Sequence, residues 1–189
     1  MNPEDRVWPA ANALDFTTGD MVPHGRAVIR RLSEMRRAFA DPETVAALLS
    51  EGDDRVIYRS YVAEVPEQPG HLAYLTTIIL PGEVGGEYHM TRGHFHQKDS
   101  AEVYLGMSGH GLMLMQARDG QFRSEALTKG TTVYVPPGWA HRTVNTGPQE
   151  LVFLAVYFSD AGHDYRSIEA KGFAARVMVG PKGPQIVGN

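Results

Sequence analysis

Beyond Asp53 the chain is cut at short intervals by Gly and Pro, and the pieces between the cuts are rich in Val, Ile, Tyr and Thr. Such pieces suit strands, which are complete in about six residues, better than helices, which need about ten or more. Arg55–Val65 and Leu72–Leu80 read as two strands divided by the turn segment Pro66–Gly70. Leu112–Ala117 and Gln121–Thr128 flank Asp119-Gly120, a dipeptide whose residues tolerate the positive φ angles of a tight hairpin. Thr131–Val135, His141–Asn145 and Leu151–Phe158 follow, each set off by Gly or Pro. Roughly eight to ten short strands at this spacing predict a β-sandwich or small barrel rather than a parallel sheet.

The first quarter has a different texture. Pro3, Pro9 and Pro23 keep residues 1–25 irregular. From Arg26, the apolar positions Val28, Ile29, Leu32, Met35 and Phe39 recur at helical spacing, with Arg30, Arg31, Arg36 and Arg37 crowding the same predicted helix. Asp41-Pro42 reads as N-cap and first helical position of a second helix, carrying Val45, Leu48 and Leu49 and ending at Gly52. The expected organisation is therefore a helical N-terminal extension over residues 1–53 and a β domain over 54–180. A tail over 181–189, interrupted by Pro181, Gly183 and Pro184, is expected to be partly ordered.

At 189 residues the chain suits one domain with one core. A net charge of −4 and a pI near 6.0 argue against nucleic acid or an anionic membrane as partner. No apolar run approaches the roughly 20 residues of a membrane span, and the N-terminus reads as lacking a signal-peptide core. With no cysteine, disulfides and thiolate ligands are excluded, and the expected compartment is the cytoplasm.

Four polar residues stand out of the β pattern. His94 and His96, in GHFHQKDSAEVYLG, project from one face of a period-2 strand, so two imidazoles can meet one ion. Glu102 opens the next strand-like run, and His141 arrives in a separate strand after Pro136-Pro137-Gly138. Three imidazoles and a carboxylate suit a divalent ion such as iron(II), manganese, nickel or zinc, and leave two positions of a six-coordinate ion for a ligand. Tyr104 and Tyr157 should point inward beside them.

The spacing His94-x-His96-x5-Glu102-x6-Gly109 resembles the first cupin motif, with a His96–Glu102 gap slightly longer than the general pattern. Gly130-x5-Pro136-x-Gly138-x2-His141-x3-Asn145 resembles the second. The longer segments PGEVGGEYHMTRGHFH, AEVYLGMSGHGLMLMQ, VYVPPGWAHRTVNTG and FLAVYFSDAGHDY look like the cupin-type glucose-6-phosphate isomerases of archaea and some bacteria. The resemblance implies an all-β double-stranded β-helix of jelly-roll type, a homodimer, and a place in glycolysis and gluconeogenesis. It implies one divalent ion per chain, Fe(II) first, on His94, His96, Glu102 and His141. It implies substrate contacts at Thr77, Thr91, Gly93, Tyr104, Tyr157, His163 and Tyr165. Family members carry lysine where this chain has Arg92, which keeps the charge but replaces a point charge by a planar fork.

Interconverting glucose 6-phosphate and fructose 6-phosphate moves a hydrogen between C2 and C1. Either a base such as Glu102 carries a proton, or the hydrogen migrates directly once both oxygens are polarised. Thr77, Thr91, Arg92, Gly93 and Tyr165 are the expected phosphate side, and His163 is read either as serving ring opening or phosphate, or as capping a turn. Two other readings use the same ligands: a metal-dependent dioxygenase, and a sugar-phosphate-binding cupin without turnover. Mannose 6-phosphate is a further possible substrate.

Overall fold

The computed structural model describes residues 7–189, so Pro3 and the start of the expected extension lie outside it. A short hairpin of β1 (Ala13–Leu14) and β2 (Met21–Val22) comes first, then β3 (Arg26–Arg31), α1 (Leu32–Met35) and α2 (Pro42–Ser50). Strands β4 (Val56–Val62), β5 (Leu72–Ile79), β6 (Glu83–Val84), β7 (Glu87–Tyr88) and β8 (Phe95–His96) lead into β9 (Glu102–Ser108) and β10 (His110–Ala117). Then come β11 (Phe122–Thr128), β12 (Thr132–Val135), β13 (Trp139–Asn145), β14 (Leu151–Phe158), β15 (His163–Asp164), α3 (Arg166–Lys171), β16 (Ala175–Gly180) and β17 (Gly183–Gly188).

The strands pair antiparallel throughout. One sheet runs β12-β9-β14-β5-β4-β3, and a second runs β11-β10-β13. Bridges His94↔His141 and Met90↔Val144 extend the second sheet along the stretch before β8. The core fills the space between them, with Ile79, Tyr104 and Phe153 from the first meeting Met113, Met115 and Val144 from the second. On the outer side of the first sheet, Ile78, Met107 and Val152 are sealed with Leu14, and Gly19 sits so close that a Cβ would lie 2.6 Å from Ile78. Among the described residues no helix is long and apolar enough to cross a membrane.

Two expectations are corrected. Arg26–Arg31 is not helical: it forms β3, the edge of the six-stranded sheet, with Val28 opposite Ser60 and Arg30 opposite Tyr58. β-branched Val28 and Ile29 find an open sheet edge, and that pairing overrides a helix-like spacing that serves only Leu32 and Met35 in α1. Arg30 and Arg31 therefore end a strand, while Arg36 and Arg37 follow α1. The tail is ordered as well. Pro181-Lys182 makes a tight connection, Gly183 takes φ 115°, and β17 pairs with β16 along its length. The helix begun by Asp41 is as expected: Asp41 accepts from Glu43 N–H at 3.0 Å and Thr44 N–H at 2.9 Å.

Candidate metal centre and active site

Period-2 geometry turns three rows of residues across the six-stranded sheet toward the interior. Glu102 faces Tyr157 directly across the β9–β14 ladder; Tyr104 faces Ala155, which faces Leu75; Phe153 faces Thr77, which faces Ser60. Small Ala155 beneath longer neighbours leaves a hollow, a cavity of about 560 Å³ including its open mouth. Thr77, Thr91, Arg92, Gly93, His94, Glu102, Tyr104, His141, Tyr157, His163 and Tyr165 all line it, so every expected substrate residue meets there. His96 stands just behind, completing the ligand group.

The four ligand residues converge because backbone pairing leaves them no choice. His94 and His141 form an antiparallel bridge, with N–H···O distances of 3.3 and 3.0 Å. His96, two residues on, shares the face of His94, while Phe95 between them points into the core. One ligating atom from each of His94, His96, Glu102 and His141 lies within 4.8 Å of the others.

These residues fit a divalent cation. His96 Nδ1–H donates to the Ser100 carbonyl at 2.9 Å and His141 Nδ1 faces the Trp139 carbonyl at 3.3 Å, which leaves each Nε2 as a lone pair. Both lone pairs point at the same carboxylate oxygen, Glu102 Oε2, at 3.1 and 2.9 Å. The second contact is as short as a hydrogen bond, yet His141 Nε2 lacks the geometry of one, and His94 Nε2 is buried without any partner. Three nitrogen acceptors and a carboxylate crowded together repel one another unless a cation sits among them.

Electrostatics follow from this crowding. Burial, then neighbouring His141 and His163, hold His94 well below its ordinary pKa. Burial also opposes charge on His96, but the adjacent Glu102 carboxylate and Ser100 carbonyl favour a proton there, outweigh it and raise the group. For Glu102, burial works upward and is overcome by His141 and His96, leaving the carboxyl ionised well below the usual range. Burial and the Glu102 charge raise the phenol of Tyr104 well above normal and push Tyr157 up to about 12. Burial lowers His163, whose ring stacks on Tyr165 at 5.8 Å and stands 4.4 Å from His94. The turn beyond is capped by Asp164, which accepts from Ser167 N–H at 3.1 Å; His163 has no part in that cap.

The Tyr165 ring separates the ligand end from a cationic end: its centroid is 5.3 Å from that of His94, and the Arg92 guanidinium lies 4.6 Å over it. Tyr58, Ser60 and Thr143 also line the cavity and were missed. Tyr58 and Ser60 alternate along β4, so a period-2 reading of that strand shows them on one face; nothing in the sequence says that this face meets the histidines.

The chain matches the glucose-6-phosphate isomerase (GPI) family over residues 29–186. It belongs to that family. A glucose-6-phosphate isomerase of Thermococcus litoralis is 45% identical over 95% of this chain and 93% of its own length. Relatives of the same description from Pyrococcus horikoshii (46%, over 90% of this chain and 89% of theirs) and Sinorhizobium medicae (40%, over 90% and 80%) extend the family to both archaea and bacteria. Among solved structures, an oxalate oxidase overlays with a TM-score of 0.49 at 18% identity, across 59% of this chain and 56% of that one. Family membership rests on the sequence matches, and the antiparallel two-sheet barrel is the cupin architecture expected of this family.

Proposed function

We propose that this chain is a metal-dependent aldose–ketose isomerase interconverting glucose 6-phosphate and fructose 6-phosphate. The observation that carries the reading is the convergence of His94, His96, Glu102 and His141 on one point of a cavity that also gathers tyrosines, hydroxyls and one arginine, in a chain of this family. A divalent ion held by these four residues, Fe(II) in our assignment with Mn, Ni or Zn compatible with the same donors, supplies Lewis acidity toward O1 and O2 of the open-chain sugar.

The chain's own residues do the rest. Tyr104 and Tyr157 flank Glu102, one two residues on and the other across the ladder. Their protonated phenols donate to sugar oxygens and keep the open chain extended over the ligand cluster. Both histidine contacts of Glu102 run to Oε2, and we assign the proton transfer to Oε1. In this reading that oxygen takes the proton from C2 and returns it to C1. Neutral His163 hydrogen-bonds the sugar during ring opening, and Thr77, Thr91, Gly93, Tyr165 and Arg92 hold the phosphate, with Arg92 as the charge. Solvent deuterium should therefore appear at C1 of the product; complete retention of the original hydrogen would favour direct migration instead.

The same reading places the reaction in glycolysis and gluconeogenesis in the cytoplasm, where charged hexose phosphates are retained. It also takes the protein to be a homodimer, supported by the exposed apolar residues Leu72, Val103, Tyr134 and Phe158 on the outer face of the six-stranded sheet. The test of the activity is a dehydrogenase-coupled assay of fructose 6-phosphate conversion on protein stripped by chelator and reloaded metal by metal. Activity should vanish on stripping and return with Fe(II) or Mn(II). No turnover with any metal, despite stoichiometric binding, would remove the isomerase reading.

A further inference from the structure

Arg92 is gripped from two sides. Its guanidinium Nε and Nη2 both donate to one oxygen of Glu169 in α3, Nε at 2.9 Å, and its plane lies over the Tyr165 ring. Its main chain is pinned as well, because buried Arg142 donates from Nη2 to the Arg92 carbonyl at 2.9 Å. An unrestrained arginine gives up side-chain freedom each time it binds an anion, whereas Arg92 has given it up beforehand. Glu169 occupies the Nε edge only and leaves Nη1 free to donate.

We infer that Glu169 is a positioning residue for substrate phosphate: it fixes the plane of Arg92 so that the free edge of the fork meets the anion without reorganisation. This rests on the reading that the phosphate lies at Arg92. The simpler alternative is that Glu169 only neutralises Arg92 and competes with substrate. The two differ in sign. A positioning carboxylate strengthens phosphate binding and a competing one weakens it. They also differ in what a lysine at position 92 would feel. An ammonium has no plane to orient, so beside Glu169 it is merely neutralised.

The experiment measures calorimetric affinity for glucitol 6-phosphate, an open-chain analogue without a carbonyl, together with KM and kcat for fructose 6-phosphate. Glu169→Ala should weaken the analogue by ~5-fold and raise KM to match, with kcat and metal content unchanged, while Glu169→Gln, whose amide oxygen still accepts, stays within ~2-fold. Arg92→Lys should weaken binding by ~10-fold, and adding Glu169→Ala to it should recover part of that loss. The effect of removing Glu169 thus changes sign with the residue at position 92, which loss of a merely structural contact in α3 would not produce. Unchanged or tighter binding in Glu169→Ala alone overturns the inference. The reading beneath it is tested separately by Arg92→Ala, which should cost ~30-fold in analogue affinity. Unchanged binding there would move the phosphate to Arg26 or Arg30, which stand on the same edge strand.

Discussion

The two ends of the cavity are built by different means. At the ligand end, main-chain pairing fixes each functional side chain: His94 is bridged to His141, and Glu102 lies opposite Tyr157 in a ladder. The side chains of His96, Glu102 and His141 are 4%, 4% and 2% exposed. At the other end, the one cationic side chain among the described residues lining the cavity is Arg92, whose side chain is 32% exposed and is held by an ion pair to a six-residue helix. The end that must hold charged atoms within a few tenths of an ångström is set by the sheet. The end proposed to hold a phosphate is set instead by side-chain contacts, the Arg92–Glu169 ion pair and the Tyr165 ring. Damage at the ligand end should therefore appear in kcat and metal content, and damage at the arginine end in KM.

The largest effect should come from emptying the ligand end. Chelation should lower turnover by ~1000-fold or more, the scale of Lewis-acid stabilisation. It should also lower thermal stability, since a ligand held at 1000 times its Kd contributes about 4 kcal/mol. Differential scanning calorimetry with and without chelator reads the second effect. An unchanged melting temperature would mean that the crowded lone pairs are tolerated without a cation, which contradicts the fit argued from His94 and His141.

Glu102→Gln is next. The amide keeps shape and one donor oxygen but loses the charge that faces two lone pairs and the atom proposed to carry the proton. Some metal should be retained, by elemental analysis, while kcat falls ~100-fold or more. Turnover near that of the parent would exclude an essential role for this carboxylate.

The ligand end was also the more legible end. His94 and His96 two apart, Glu102 at a strand start and His141 behind a Pro-Pro-Gly turn are local patterns whose consequence depends on period-2 geometry alone. The strands Leu72–Ile79 and Leu151–Phe158 emerged within a residue of their expected bounds for the same reason. The arginine end was illegible because its parts are distant in sequence. Glu169 lies far from Arg92 along the chain and sits in a short helix that the reading did not include. Residues 26–31 failed differently. Their spacing fits a helix face and a strand equally, and only the unoccupied edge of β4 decides between them. β17 was hidden by Pro184 and its glycines, which usually mark disorder but here lie on an edge strand, where a missing N–H costs nothing.

Tyr157→Phe probes the boundary between the two ends, because Tyr157 is paired with Glu102 and lines the cavity proposed to hold the sugar. Losing one donated hydrogen bond to a polarised oxygen should cost ~10-fold in kcat/KM, with the loss mainly in kcat and metal content unchanged. A loss confined to KM would assign Tyr157 to the anchoring end instead.

The smallest effect should come from Ser60. Its hydroxyl lies 2.8 Å from that of Thr77, both buried in the row that ends at β3. Either oxygen can donate, so Ser60 decides where the Thr77 hydroxyl points. Ser60→Ala removes that partner without opening much space, and about 1 kcal/mol is at stake. If Thr77 serves the phosphate, KM should rise ~3- to 5-fold with kcat unchanged, and the same factor should appear in glucitol 6-phosphate affinity. A fall in kcat at constant KM would place Thr77 with the ligand end, and the division between a backbone-built reaction site and a side-chain-built anchor would have to be redrawn one row further along the sheet.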